Sequence, residues 1–325
     1  MEQITDSHIL DDICHSIRAI FGWNIHHTMA IPLGYKNLKW RIFTDHGSYF
    51  VKQYNRTRYP SSSNAGLEQS LRLQDSLFQN GIPCPRLYPS QQHYVLTSKL
   101  GQRFVVMEDL DGSLIEPGTI HPSQAYSLGL TIGQMHQLLF ETAPVRQTLH
   151  WNLPTKTEML QNWRKRWEEA KSLACDQTMK QLEVQQKIID GLEWDLFSSC
   201  EKGWAHWDLF VDNILFHSDS VAALLDFDRM HYVYPEFDIS RAVLSCCLLN
   251  NKLDMTCTTA FISGYRQYRN LSHSKLVRSM KLTWWKESSW LQVAKTTDSR
   301  PMIRFREEMI WLANQWDELE DVFDV

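Results

Sequence analysis

The chain has 325 residues, 43% hydrophobic and 22% charged, which is long for one compact core and suits a globular protein of two lobes. Its net charge of −5 gives no electrostatic case for nucleic acid or an anionic membrane, though it tolerates a cationic substrate. Seven cysteines without a Cys-x-x-Cys pair argue against a disulfide framework or zinc site, and the lack of a basic-apolar leader or membrane-length run makes a reducing cytoplasm the expected location.

Residues 7–21 carry Ile9, Leu10, Ile13, Ile17 and Ile20 at helical spacing, which predicts an amphipathic helix. The pair His26-His27 lacks ligand spacing and reads as surface or turn. Stretches 38–44 and 48–54 read as strands joined at Asp45-His46-Gly47. Lys52 interrupts the second, otherwise apolar, strand; it lies either on a solvent face or toward phosphates. A polar loop at 55–65 leads into a helix over 66–80, whose first turn holds Glu68, a favourable place for a carboxylate. Gly81 and Pro83 end that helix. Strands follow at 94–97 and 102–107, then Glu108-Asp109-Leu110. A helix over 121–141 starts with Pro122 and sets Gly129 and Gly133 on one face, as close helix packing requires. Residues 155–201 are helical and rich in charge, and Arg164-Lys165-Arg166 reads as a solvated face. Further helices are expected at about 239–250, 254–269, 273–295 and 300–320. Their tryptophans, among them Trp284, Trp285, Trp290, Trp311 and Trp316, read as core or as the lining of a site for a cationic amine.

The chemistry concentrates at 203–241. His206-Trp207-Asp208, with Asn213 five positions after the Asp, has the kinase catalytic-loop pattern His-x-Asp-x-x-x-x-Asn. Two apolar runs flank the polar turn at 217–220 and predict a β-hairpin that ends on Asp226. Asn213 then opens one strand and Asp226 closes the other, so an amide oxygen and a carboxylate are expected together as a seat for Mg²⁺. Asp208 would orient the attacking hydroxyl and take its proton. Each piece alone is weak, since loop carboxylates are commonly solvated and Asp226-Phe227-Asp228 occurs by chance. Their order along the chain carries the reading.

These residues resemble the aminoglycoside phosphotransferase / choline kinase-like superfamily, which includes homoserine kinase-like members. That family shows a His-Gly-Asp-like loop, an Asn five residues on, Ile-Asp-Phe-Asp/Glu after the hairpin, and a Tyr/Phe-Asp-Leu-Ala-like segment, here Phe237-Asp238-Ile239-Ser240. Trp207 stands where a small or polar residue is usual. The resemblance implies an α+β, bilobal protein-kinase-like fold, with a small β-rich nucleotide-binding lobe over 1–108 and a helical catalytic lobe over 109–325. It implies ATP and Mg²⁺, with Lys52 as the strand lysine on the phosphates and Glu68 as its carboxylate partner. Gly34 and Asn37 become candidates for the nucleotide cover. Backbone groups from Glu108 to Leu110 become candidates for the adenine edge, an ordinary strand end being the alternative. His206 joins Asp208 in the catalytic loop and, with Asp238, is expected to brace it by hydrogen bonds; His136 reads as structural. The implied reaction moves the γ-phosphate of ATP to a hydroxyl of a small molecule: an amino alcohol such as homoserine or choline, a thiosugar, or an aminoglycoside. Only a short connection separates Asp226 from Tyr234-Pro235-Glu236, which leaves little platform for a protein substrate. A protein Ser/Thr kinase of the same fold and a non-catalytic, nucleotide-binding pseudokinase stay open as alternatives.

Overall fold

The computed structural model describes residues 5–32 and 37–323. They form two compact units, and no single cut in the sequence separates them. The first comprises the chain up to Ser113 together with Ala222–Arg229; the second comprises Leu114–Val221 and the chain from Met230 onward. The cut expected after residue 108 misses the return of 222–229 to the first unit. There the N–H of Leu224 donates to the carbonyl of Pro83 at 2.8 Å.

The first unit is a five-stranded antiparallel sheet with a helix on each face. Helix α1 (Asp6–Phe21) is capped by the Thr5 hydroxyl and ends at Gly22, whose left-handed φ of 72° a residue with a Cβ adopts at a cost. The strands are β1 (Ile25–Ala30), β2 (Lys39–Thr44), β3 (Gly47–Gln53), β4 (Leu96–Thr97) and β5 (Arg103–Glu108), in the order β1-β2-β3-β5-β4. Helix α2 runs from Asn64 to Gln79. Alternation along the strands sorts the side chains between the two helices. Trp40, Ile42, Tyr49, Val51, Phe104 and Val106 pack with Ile13 and Ile17 of α1, while Val105 packs with Leu67 and Leu71 of α2. Asp12 ties α1 to the turn before β5, accepting the N–H of Leu100 at 3.2 Å and the hydroxyl of Ser98. Strand β1 is not foreseen by the sequence: His26 and His27 are exposed, as a surface position requires, but lie on this edge strand rather than in a turn. Its side chains are exposed or half-buried, so no apolar alternation marks it.

In the second unit, α3 (Pro122–Thr142), α4 (Lys156–Ser172) and α5 (Asp176–Gly191) precede the short strand β6 (Gly203–Ala205). Strand β7 (Ile214–Phe216) leads into the polar turn, which the His217 N–H closes on the Ser220 carbonyl at 2.9 Å, and β8 (Val221–Leu224) then carries the chain into the 222–229 segment of the first unit. Strand β9 (His231–Val233) pairs with β6. Helices α6 (Glu236–Cys247), α7 (Met255–Tyr265), α8 (His273–Glu287) and α9 (Arg300–Asn314) follow. Every residue of α6 is buried, so it forms the centre of this unit. Helices α3 and α7 touch backbone to backbone, because Gly129 and Gly133 face Phe261 and Tyr265 while Gly264 faces Tyr126. Trp284 and Trp285 are fully buried and belong to the core. Arg166 corrects the solvated-face reading. It shares the buried side of α4 with Trp163, three residues earlier, and its Nη1 donates to Gln185 Oε1 and to the carbonyls of Ser288 and Leu291, each at 2.9 Å. Among the described residues no helix is long and apolar enough to cross a membrane.

Candidate active site

In the first unit, Lys52 points from β3 into a pair of carboxylates. Its ammonium donates to Asp226 Oδ1 and to Asp228 Oδ2. The tyrosine hydroxyls of Tyr54 and Tyr59 donate to Asp228 at 3.0 and 3.2 Å. A sharp turn brings both carboxylates to one ammonium. Asp226 has φ +63°, a left-handed backbone that Asp tolerates better than most residues, and Phe227 between the two is buried as the anchor. Burial alone would lower the Lys52 pKa, but the two carboxylates overcome it and hold the ammonium charged. Burial likewise opposes ionisation of Asp226, and Lys52 more than offsets it, keeping that carboxyl below its usual range. For Asp228 burial prevails, and its pKa is raised.

The expected partner of Lys52 stands elsewhere, and the candidates for the nucleotide cover and the adenine edge have other neighbours. Glu68 does not join it: the Glu68 carboxylate accepts the N–H groups of Tyr94 and Val95 at 3.3 and 2.8 Å, holding the chain that enters β4. Because α2 begins at Asn64, Glu68 lies in its second turn, where it finds these backbone donors, and Asp226 and Asp228 fill its expected place at Lys52. Asn37 is buried and its Oδ1 accepts the Asn55 N–H at 3.1 Å, pinning one end of the 55–63 loop. Gly34 lies outside the described residues. The Glu108 N–H donates to the Arg86 carbonyl at 2.8 Å; Leu110, past the end of β5, is half-buried. Asp109 pairs with Arg41 at 2.7 Å.

In the second unit, the catalytic-loop motif hangs on one buried carboxylate. Asp238, in the first turn of α6, accepts the backbone N–H of His206 at 2.6 Å and that of Trp207 at 2.8 Å. His136 Nε2 lies 3.2 Å from the same carboxylate, and His136 Nδ1 is 3.0 Å from the Tyr265 hydroxyl. The carboxylate assigns the ring proton to Nε2, so the tyrosine donates to Nδ1. Trp207 takes φ +66°, where glycine would be unstrained, which explains why a small residue suits this position. Here a large ring occupies it, with its centroid 4.5 Å from that of Phe237 and 5.6 Å from that of Trp151. Lys286 lies 4.7 Å over the Trp207 ring and 3.9 Å over that of Phe237, and it donates to Glu287 at 3.2 Å. Asp208, next in the turn, is half-buried, and its Oδ2 lies 3.4 Å from Asn213 Nδ2. Its carbonyl accepts Asn213 Nδ2 at 2.8 Å and the Phe210 N–H at 2.9 Å. Behind the loop, Arg241 of α6 is fully buried; it donates to Glu287 at 2.7 Å and also to Glu308.

Asp228, Tyr54 and Tyr59 carry no assignment from the sequence. The Asp-x-Asp spacing was the available signal for the first, and nothing marks the tyrosines. The first unit holds a buried ammonium fixed by two carboxylates, and the second, taken by itself, holds a half-buried Asp208 on a braced loop.

The model of a phosphotransferase enzyme family matches residues 27–272. The chain belongs to this phosphotransferase enzyme family. Among relatives of this family member, the homoserine kinase of Sinorhizobium medicae (strain WSM419) is 26% identical over 254 residues, spanning 75% of this chain and 71% of that protein. A microcompartment-associated aminopropanol kinase superposes with a TM-score of 0.66 at 15% identity, over 95% of this chain and 98% of that one. A spectinomycin phosphotransferase, solved with ADP and spectinomycin, superposes with a TM-score of 0.62 at 13% identity, over 95% and 98%. The expected α+β, kinase-like fold is met, and so is the expectation of an enzyme of the phosphotransfer class.

Proposed function

We propose that this chain transfers the γ-phosphate of ATP to the hydroxyl of a small molecule, and that the acceptor is an amino alcohol of the homoserine type. The carrying observation is the catalytic loop. Its two backbone amides are pinned on Asp238, Asn213 closes on the Asp208 carbonyl and lies 3.4 Å from its carboxylate, and Asp208 sits half-buried on this braced turn. Asp208 orients that hydroxyl and receives its proton as the oxygen attacks phosphorus. Lys52 holds the phosphate tail, anchored by Asp226 and Asp228. The acceptor class rests on the homoserine kinase relatives and on the short link after Asp226.

The donor atoms suit magnesium. Asp226 offers a carboxylate oxygen with its side chain 22% exposed. Asn213 directs its amide nitrogen to the Asp208 carbonyl, which leaves Oδ1 as an oxygen donor. Magnesium keeps several waters and takes few protein ligands, so two oxygen donors are a plausible protein share of its shell. Magnesium, when bound, would offset phosphate charge, with Asp226 and Asn213 as its proposed protein ligands.

The test is ADP release with Mg-ATP across homoserine, choline, aminopropanol, a thiosugar, an aminoglycoside and a generic protein. Asp208→Asn serves as the control. One amino alcohol should stimulate the wild type at least tenfold and leave Asp208→Asn silent while the variant still binds Mg-ATP. Stimulation by the protein alone, or equal turnover in the variant, would overturn the proposal.

A further inference from the structure

We propose that Lys39 is a second ammonium for the polyphosphate of the donor nucleotide, acting beside Lys52; this rests on the phosphotransfer reading above. In the β2–β3 ladder Lys39 stands directly opposite Lys52. Directly opposed residues of an antiparallel pair send their side chains to one face, with Cβ atoms about 4.5–5.5 Å apart. The neighbours Trp40 and Val51, also paired, turn to the α1 core, so both lysines emerge on the other face of the sheet. Like charges placed this way repel, and sheets ordinarily avoid the pairing.

Three observations make the arrangement purposeful. Lys52 is already engaged by Asp226 and Asp228, whereas among the described residues the Lys39 ammonium forms no hydrogen bond or salt bridge. The side chain is also half-buried, so water does not fully screen it. The charges that act on it are Lys52 and Arg58 on one side and Asp226 and Asp228 on the other, which leaves the group of three cations and two anions with an excess positive charge. Burial first, and Lys52 second, push the Lys39 pKa down, as expected of an ammonium that lacks its counter-ion. An incoming polyanion supplies one. A nucleotide tail carried by Lys52 would lie along the same face and reach Lys39 without any change in the sheet. The base and sugar would not, so the contribution of Lys39 should scale with the number of phosphates.

The experiment measures Kd for ATP, ADP, AMP and adenosine by calorimetry, at several salt concentrations, for wild type, Lys39→Met and Lys39→Arg. Lys39→Met should weaken ATP about tenfold and adenosine less than twofold, with a shallower dependence of log Kd on log salt. Lys39→Arg should recover most of the loss. Apo thermal stability should stay equal or rise in Lys39→Met, because a repulsive neighbour of Lys52 is removed. An unchanged ATP affinity in Lys39→Met would overturn the assignment while leaving the phosphotransfer reading intact. An equal loss for ATP and adenosine would also overturn it, since that marks a general role in the sheet. A wild type that binds neither ATP nor adenosine would overturn both.

Discussion

Replacing Asp238 by Asn should loosen the catalytic loop without changing the size of any side chain. The carboxylate accepts two buried N–H groups, from His206 and Trp207, and faces His136. An Asn oxygen can keep one of these bonds, while its NH₂ must face another donor. Hydrogen bonds to a charged partner contribute roughly 1.5–3 kcal/mol, and a buried donor left without an acceptor costs about 1–3 kcal/mol. The expected loss is therefore about 2–3 kcal/mol for Asp238→Asn and about 3–5 kcal/mol for Asp238→Ala, which strands both amides. Trp207 adds to the effect, because its left-handed backbone at φ +66° is held by the bond being removed. Urea unfolding followed by tryptophan fluorescence reads the stability, and steady-state turnover reads the loop. Since Asp208 follows Trp207 directly, kcat should fall at least tenfold while the KM for ATP stays within about twofold. An Asp238→Asn protein within about 0.5 kcal/mol of wild type and with near-normal kcat would refute the claim that this carboxylate organises the loop.

Two further outcomes test the packing and the buried charges. Gly129→Ala should cost about 2–4 kcal/mol in urea unfolding, because its new Cβ would lie 1.9 Å from the Phe261 carbonyl oxygen; a neutral substitution would mean that α3 and α7 do not touch there. Burial raises the Glu287 pKa, but Arg241 and Lys286 overcome it, so the folded value lies below the ordinary 4.5. Its stabilising contribution is then present above about pH 4.5 and is lost as pH falls further toward the folded pKa. Glu287→Gln should lower stability at pH 7 and flatten its decline between about pH 5 and 3, as followed by urea midpoints; an unchanged acid slope would remove Glu287 from that account.

The sequence by itself determined the order of the elements that bury one side, and the reaction class. Apolar periods of two and 3.6 are local properties, so α1, β2, β3, α2, α3 and the hairpin around residues 217–220 were legible where one side of an element is buried. The same holds for Gly129 and Gly133, whose spacing on one helix face announced a close contact. Strand β1 was illegible because an edge strand with exposed side chains has no such period. Arg166 was misread for a related reason, since a charge in a basic run reveals nothing about the carbonyls of Ser288 and Leu291 that await it. Only the tertiary structure decided who pairs with whom. Lys52 meets Asp226 and Asp228, 174 and 176 residues away, rather than Glu68, only sixteen positions on, which instead holds the backbone before β4. Likewise Asp238 reaches back 31 and 32 residues to the loop it braces. The physical reason is that an ion pair or cap depends on position in space and on competing donors. Folding sets those together, and no local pattern in the chain records them.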